Sequence, residues 1–204
     1  ASRILHCVCR RGAGFSVEIG TLTTVSITEQ DSPEIITIYN DEQIDAQVTK
    51  TVVQSLIKDN ERTFKVLVSH ESSLPSGVGF GASGAGALGT ALALGHILAP
   101  SLSSIEAAAY AHRSEVLNRT GLGDVIAQTQ GGLEIRIGPG APGIGKIVKI
   151  SHSSELKVVL AGAPGLETKA VLTNPESRRR INAIGDRLVT ELVANQKIQT
   201  FIKC

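Results

Sequence analysis

LPSGVGFGASGAGALGTALALGHIL, Leu74 to Leu98, holds seven of the chain's 21 glycines and then runs on as an apolar helix. Glycine gives up more conformational freedom on folding than any other residue, so such a dense run needs a structural cause. Two causes compete: a flexible linker, or a backbone that must curl closely around something. The neighbours decide between them. TFKVLVSH (Thr63–His70) reads as a buried strand leading into the run, and Ser83–Leu98 reads as a helix that stops at Pro100. Linkers join polar segments, whereas a strand, a glycine loop and a helix start together make an anion site. The unpaired N–H groups of the first helical turn face the ligand, the helix dipole favours negative charge, and no Cβ obstructs the phosphate oxygens. The run reads as a phosphate loop.

Phosphate loops come in several kinds. A Walker loop ends in Gly-Lys-Ser/Thr, and no lysine occurs between Lys65 and Lys146. Gly79-Phe80-Gly81-Ala82-Ser83-Gly84 satisfies the dinucleotide pattern G-x-G-x-x-G, but that pattern wants a second strand with a terminal acid after the helix. Here the helix is succeeded by another helix, SIEAAAYAHRSEVLNRTG, opened by Ser103 and Ser104 and closed by Gly121.

Ahead of the loop, GFSVEIGTLTTVSITEQ (Gly14–Gln30) reads as two paired strands with a turn near Gly20, and EIITIYN as another strand. DEQIDAQVTKTVVQSLIKD (Asp41–Asp59) carries Ile44, Val48, Val52 and Leu56 at helical spacing. Beyond Gly121, DVIAQTQGG leads into the strand GLEIRIG, and Gly138–Lys146 is a turn-rich joint after which the pattern restarts. KIVKIS and LKVVLAG read as strands, and NPESRRRINAIGDRLVTELVANQ as a charged helix with Pro175 in its first turn and Arg178–Arg180 on a solvated face. A boundary near residue 150 divides a first unit, 1–150, from a second, 151–204, too short to stand alone and hence truncated.

Charges nearly cancel, at +1, which points to neither nucleic acid nor another polyanion as partner. No segment spans a membrane or has the plan of a secretion signal. Cys7, Cys9 and Cys204 make no disulfide framework; His6 with Cys7 and Cys9 has no answering ligand pair, so the two cysteines fit a strand of a reduced, cytoplasmic protein. The chain has no Met, even at its start, which suggests a piece of a longer polypeptide.

PSGVGFGASGAGAL resembles the P-x-x-x-G-L-G-S-S-A-A loop of the GHMP kinases, with Phe80 for the usual Leu and Ala82-Ser83 for Ser-Ser. Those kinases follow the loop with a helix bearing a magnesium-binding Glu and a Ser/Thr-Gly-x-x-Asp turn. Here Glu115 stands in AHRSEVLNRTGLGD, with Asp124 nine residues on and Gly131-Gly132 opening the next strand. With RGAG (Arg11–Gly14) and GFGASGAGAL, the wording is most similar to the archaeal pantoate kinases of that family, from residue 11 to about 170. Two other family motifs, a Pro-Gly-rich opening and a late glycine-rich segment, are not found.

The resemblance implies an α+β protein of the GHMP kinase fold. Its first domain would be like the second domain of ribosomal protein S5, and a ferredoxin-like domain would begin near residue 151. It implies ATP and Mg²⁺, with pantoate as the small-molecule acceptor, and it allows a homodimer. Pro75, Gly77, Gly79, Gly81, Ala82, Ser83, Gly84, Ala85 and Gly86 would hold the triphosphate. Glu115, with Ser83, would hold the metal; Asp124 would accept or orient the hydroxyl proton; His112 and Arg136 would hold the acid. Each residue also has a plainer reading. Ser83 suits an N-cap, Glu115 a surface helix and Asp124 a turn or cap. His112 suits a half-buried apolar face with Ile105, Ala109 and Val116, and Arg136 suits a surface ion pair with Glu134. Homoserine, shikimate or a mevalonate-type alcohol are alternative acceptors, and a non-catalytic ligand sensor on the same fold is an alternative role.

Overall fold

The structure, a computed structural model, describes residues 11–58, 62–151, 155–162 and 173–203. Cys7, Cys9, Cys204 and the strand expected around the first two lie outside the described residues. Among them the elements run β1 (Gly12–Phe15), β2 (Thr21–Glu29), β3 (Glu34–Tyr39), β4 (Glu42–Gln43), α1 (Gln47–Ile57), β5 (Phe64–Ser72), α2 (Ala82–Leu98), α3 (Ser104–Asn118), α4 (Asp124–Gln130), β6 (Leu133–Gly138), β7 (Lys146–Ile150), α5 (Pro175–Ala194) and α6 (Ile198–Lys203).

Among the described residues two sheets organise the chain. One has the order β2-β5-β3-β4, with β5 antiparallel to β2 and parallel to β3; the other is the antiparallel trio β1-β6-β7. On β5, Phe64, Val66 and Val68 face inward at every second position, and His70 takes the next place in that row. These residues meet Val53 of α1 and Leu94 of α2 in one apolar core. A second core of small residues, Ala87 and Ala91 on α2 against Ala107, Ala108 and Ala111 on α3, lets two helices approach closely beside Val48, Val52 and Val125. A third core joins Leu133, Ile135 and Ile150 of the three-stranded sheet to Val189 and Leu192 of α5.

Several local expectations needed correction. β1 and β2 do not pair with each other: β1 lies on β6 and β2 on β5. Alternation marks a strand but not its partner, and Ser16 ties the chain after β1 to the other sheet through Ser16 N to Gly132 O and Ser16 Oγ to Ala127 O, each 3.0 Å. The first residues of the helix expected from Asp41 make a hairpin instead. Asn40 and Asp41 both have positive φ, the conformation a two-residue hairpin loop demands, so Glu42 returns opposite Tyr39 and Ile44 falls outside the helix. Asp124–Gln130 is a helix rather than a turn and lead-in. LKVVLAG forms no strand within the described residues; an apolar run needs a hydrogen-bonding neighbour, and Glu155–Gly162 has none there. α3 ends at Asn118, before Gly121, because Arg119 adopts the left-handed cap. The apolar face imagined for His112 also differs: Ile105 is exposed, and α3 turns Ala107, Ala108 and Ala111 inward. No helix among the described residues is long and apolar enough to cross a membrane.

Candidate active site

The glycine run does two different jobs. Gly77, Gly79 and Gly81, at alternate positions, have φ of 78, 87 and 72°, a backbone that residues with side chains avoid. Gly81 is the N-cap of α2, and no side chain caps the first amides of that helix. Ser83 is therefore not the cap that its position suggested. Further along, glycine answers close contact: a Cβ on Gly86 would meet the His70 ring at 3.1 Å, and one on Gly89 would strike Thr23 at 2.4 Å. His70 is itself held between Thr23 Oγ1 at 2.9 Å and Thr49 Oγ1 at 3.0 Å. Thus β5, through His70, and α1, through Thr49, seat the helix whose open end carries the loop.

The end of α3 and the start of α4 bring two acids to that open end. A capping box of Ser103 and Glu106 starts α3, which delivers Glu115 one turn before its close. Gly121 to Gly123 then turn the chain, and Asp124 stands in the first turn of α4. The side chain of Glu115 is fully buried, not on a surface helix face. Its Oε1 accepts from Ser83 Oγ at 2.9 Å and from Thr120 Oγ1 at 3.3 Å, while its buried Oε2 has no hydrogen-bond partner among the described residues. Burial, reinforced by the charge of Asp124, pushes the Glu115 carboxyl up to about 7, against the two hydroxyl donors. Asp124 opens to the cleft, yet the protein crowding its carboxyl raises its pKa, with Arg136 opposing. The two acids converge. A Cβ on Gly121 would lie 2.7 Å from both Asp124 Oδ2 and Glu115 Oε2, and one on Gly84 would lie 3.1 Å from Asp124 Cβ and 3.2 Å from Glu115 Oε2. Only glycine leaves that niche open.

The niche fits a hard divalent cation. A buried carboxylate oxygen with no donor, beside a second carboxylate and a hydroxyl, is a costly arrangement until positive charge enters it. Among the described residues no three His, Cys, Asp or Glu side chains cluster as a closed metal centre. One carboxylate and one hydroxyl from the protein leave the other positions to phosphate and water, as Mg²⁺ prefers.

Beside the niche opens a cleft of about 670 Å³, whose lining includes Gly12, Leu74, Phe80, Asp124, Arg136 and Leu160. Arg136 and Glu134 form a buried pair here, not the surface pair that the strand pattern allowed. Glu134 is fully buried, and Arg136 Nη1 donates to its Oε1. Nη1 also donates to Gly123 O and Nη2 to Ala13 O, both at 3.3 Å. Burial pushes the Glu134 carboxyl up to about 7, with the guanidinium pulling it down. The Arg136–Glu134 pair explains three more glycines, since a Cβ on Gly12 or Gly123 would approach the guanidinium within 2.7 and 2.8 Å, and one on Gly14 would meet Glu134 Oε1 at 2.8 Å. His112 is 1% exposed and is not among the residues lining the cleft. Burial, helped by the charge of Arg136, lowers its pKa to about 4, so its imidazole is neutral at physiological pH. Pro75 and Gly77 lie at the exposed rim of the loop.

Sequence reasoning missed two residues. Glu134 was seen only as a surface partner, because alternation on β6 could not show that both faces are covered. Gln128, four residues after Asp124, shares a helix face with it, a signal that a lead-in to a strand does not carry and only the helix α4 reveals.

Residues 47–132 match the family described as GHMP kinases N terminal domain. The chain is 35% identical over 190 residues to the pantoate kinase of Thermococcus kodakarensis, covering 91% of this chain and 62% of that protein. It is 31% identical over 192 residues to the pantoate kinase of Methanocaldococcus jannaschii, covering 94% of this chain and 67% of that protein. A solved structure described as a phosphotransferase related to the CoA biosynthesis pathway superposes with a TM-score of 0.75 at 30% identity, covering 93% of this chain and 62% of that one. The chain thus spans about 62% of the length of the first of these relatives. The matched segment runs from α1 through the glycine loop and both acids to the glycines before β6, and the similarity extends along nearly the whole sequence: the chain belongs to the GHMP kinases.

Proposed function

We propose that this protein transfers the γ-phosphoryl group of ATP to the 4-hydroxyl of pantoate, giving 4-phosphopantoate for coenzyme A synthesis. The observation that carries the reading is the convergence of Glu115, Ser83 and Asp124 on the uncapped start of α2. Phosphoryl transfer asks little covalent chemistry of a protein; it asks for held phosphates, neutralised charge and an aligned hydroxyl. The amides following Gly81, freed by the left-handed loop, bind the triphosphate. Glu115, with Ser83 Oγ, would hold Mg²⁺, which supplies charge neutralisation between the phosphates when bound. Asp124 faces the cleft, where its carboxylate orients the acceptor hydroxyl and takes its proton. Arg136 uses three N–H groups on Glu134 and two backbone carbonyls among the described residues, and the two others would bind the substrate carboxylate. His112, neutral and near enough to feel that arginine's charge, would act on the substrate only through the guanidinium.

A coupled assay of ADP release with pantoate, homoserine, shikimate and mevalonate as acceptors tests the substrate. Turnover should be fastest with pantoate, and a clear preference for another of the four removes it. Asp124→Asn should lower kcat by roughly 10²–10⁴-fold with nucleotide affinity little changed, the range for loss of a general base. Unchanged kcat would take Asp124 out of the mechanism, and a parent protein that binds ATP without turnover with any acceptor would make it a sensor.

A further inference from the structure

Gln128 bridges the glycine loop and the acid-bearing helix, and its two ends differ. Its Nε2 donates to the carbonyl oxygen of Gly81 at 2.9 Å. That contact settles which way the amide points, because an amide oxygen cannot donate to a carbonyl. Its Oε1 is consequently turned inward, where it is buried and has no hydrogen-bond partner among the described residues. Glu115 Oε2 is a second buried oxygen in the same state. Both look onto one small gap: a Cβ on Gly84 would lie 3.3 Å from Gln128 Oε1 and 3.2 Å from Glu115 Oε2. Two unsatisfied acceptors bordering one space are unfavourable unless a donor or cation enters it. A cation held by the carboxylate, carrying a water that donates to the amide oxygen, would satisfy both.

We infer that Gln128 is a two-ended positioning residue of this site, its amide nitrogen holding the Gly81 carbonyl and so the phosphate loop, its amide oxygen accepting from the hydration shell of the divalent cation at Glu115. The inference rests on the kinase reading above. The left-handed Gly81 sets the direction of the first amides of α2, and the Gln128 bond anchors its carbonyl from the side of Asp124. Loop and cation are thereby tied to one side chain, four residues from the base on the same helix.

The two ends separate by substitution. Gln128→Leu removes both, whereas Gln128→Glu keeps an acceptor and loses the donor to Gly81. Affinity for AMP-PNP is measured for the protein and both variants, in EDTA and again in Mg²⁺. In EDTA both variants should bind roughly tenfold more weakly, the scale of a lost charge-assisted or buried hydrogen bond. The gain from Mg²⁺, a ratio taken within one protein and so insensitive to a smaller folded fraction, should fall at least about threefold in Gln128→Leu and be kept or enlarged in Gln128→Glu. Gln128→Leu matching the parent in both conditions would overturn the inference. An unchanged Mg²⁺ gain in Gln128→Leu would overturn the cation half and leave Gln128 a support of the loop alone. A parent that fails to bind AMP-PNP with Mg²⁺ would instead overturn the kinase reading, and this inference with it.

Discussion

At the scale of single residues, the chemistry turns on charges kept from water. Glu115 and Glu134 are fully buried acids, one held by two hydroxyls and one against Arg136, and His112 is a buried base near the same arginine. A histidine whose pKa falls from 6.5 to about 4 on folding refuses a proton that the unfolded chain accepts. Its contribution to stability is present above pH 6.5 and is lost as the pH falls toward 4. Between pH 6.5 and 5 that loss comes to about 1.5 kcal/mol. Glu115 and Glu134, whose carboxyls are raised to about 7, gain stability over the same window, so the test is a difference: from pH 6.5 to 5 the melting temperature of His112→Asn should rise relative to that of the ligand-free parent, whatever the substitution does to the absolute value. A difference between the two proteins that does not change with pH would take His112 out of the pH dependence, with His70, also lowered by burial, the next group to test. The types of these residues were legible in the chain, and their register suggested a shared site. Their burial was not, because a glutamate on a helix looks the same in sequence whether it faces water or a niche left by Gly84 and Gly121.

At the scale of elements, α2 gathers the loop, the small-residue helix packing and the contact with His70 into one piece. Its glycines are not equivalent. Gly84→Ala adds a methyl where Glu115, Asp124 and Gln128 meet, whereas Gly95→Ala would touch only Leu102 Cδ2, the end of a flexible side chain. Alanine raises helix propensity at either position by up to about 1 kcal/mol. Gly95→Ala should leave phosphoryl transfer unchanged and melting unchanged or slightly raised. Gly84→Ala should lower kcat/KM by at least about tenfold, the effect of a small misplacement among catalytic groups. Steady-state kinetics beside thermal melting of the two variants measures both. Equal activity in the two would mean that the niche by Gly84 is not the reaction site. The strand-loop-helix order of this element was readable from TFKVLVSH and the glycine run. The hairpin at Asn40-Asp41 and the short helix α4 were not, since both depend on turn chemistry a few residues long that competes with a helical pattern.

At the scale of the whole molecule, the cleft belongs to neither sheet alone. Its wall includes Leu188, Val189 and Phe201 from α5 and α6 as well as β1 and the loop. The third core attaches those helices to β6, with Leu192 wholly buried in it. Leu192→Ala should cost about 2–5 kcal/mol in urea unfolding, the range for a buried leucine, and should weaken acceptor binding more than nucleotide binding. A loss below 1 kcal/mol would show that α5 is not integral to the folded unit. The sequence by itself determined the strand, glycine loop and helix start, the order of most elements and the family, because backbone-permissive runs and periodic apolar residues are local properties that a chain carries wherever it goes. Only the tertiary structure decided that Glu115 lies buried against Ser83, that Arg136 and Glu134 pair inside the protein, and that Gln128 reaches the loop. Each of these brings together groups from different elements, and desolvation acts on what surrounds a side chain in space, not on its neighbours along the chain.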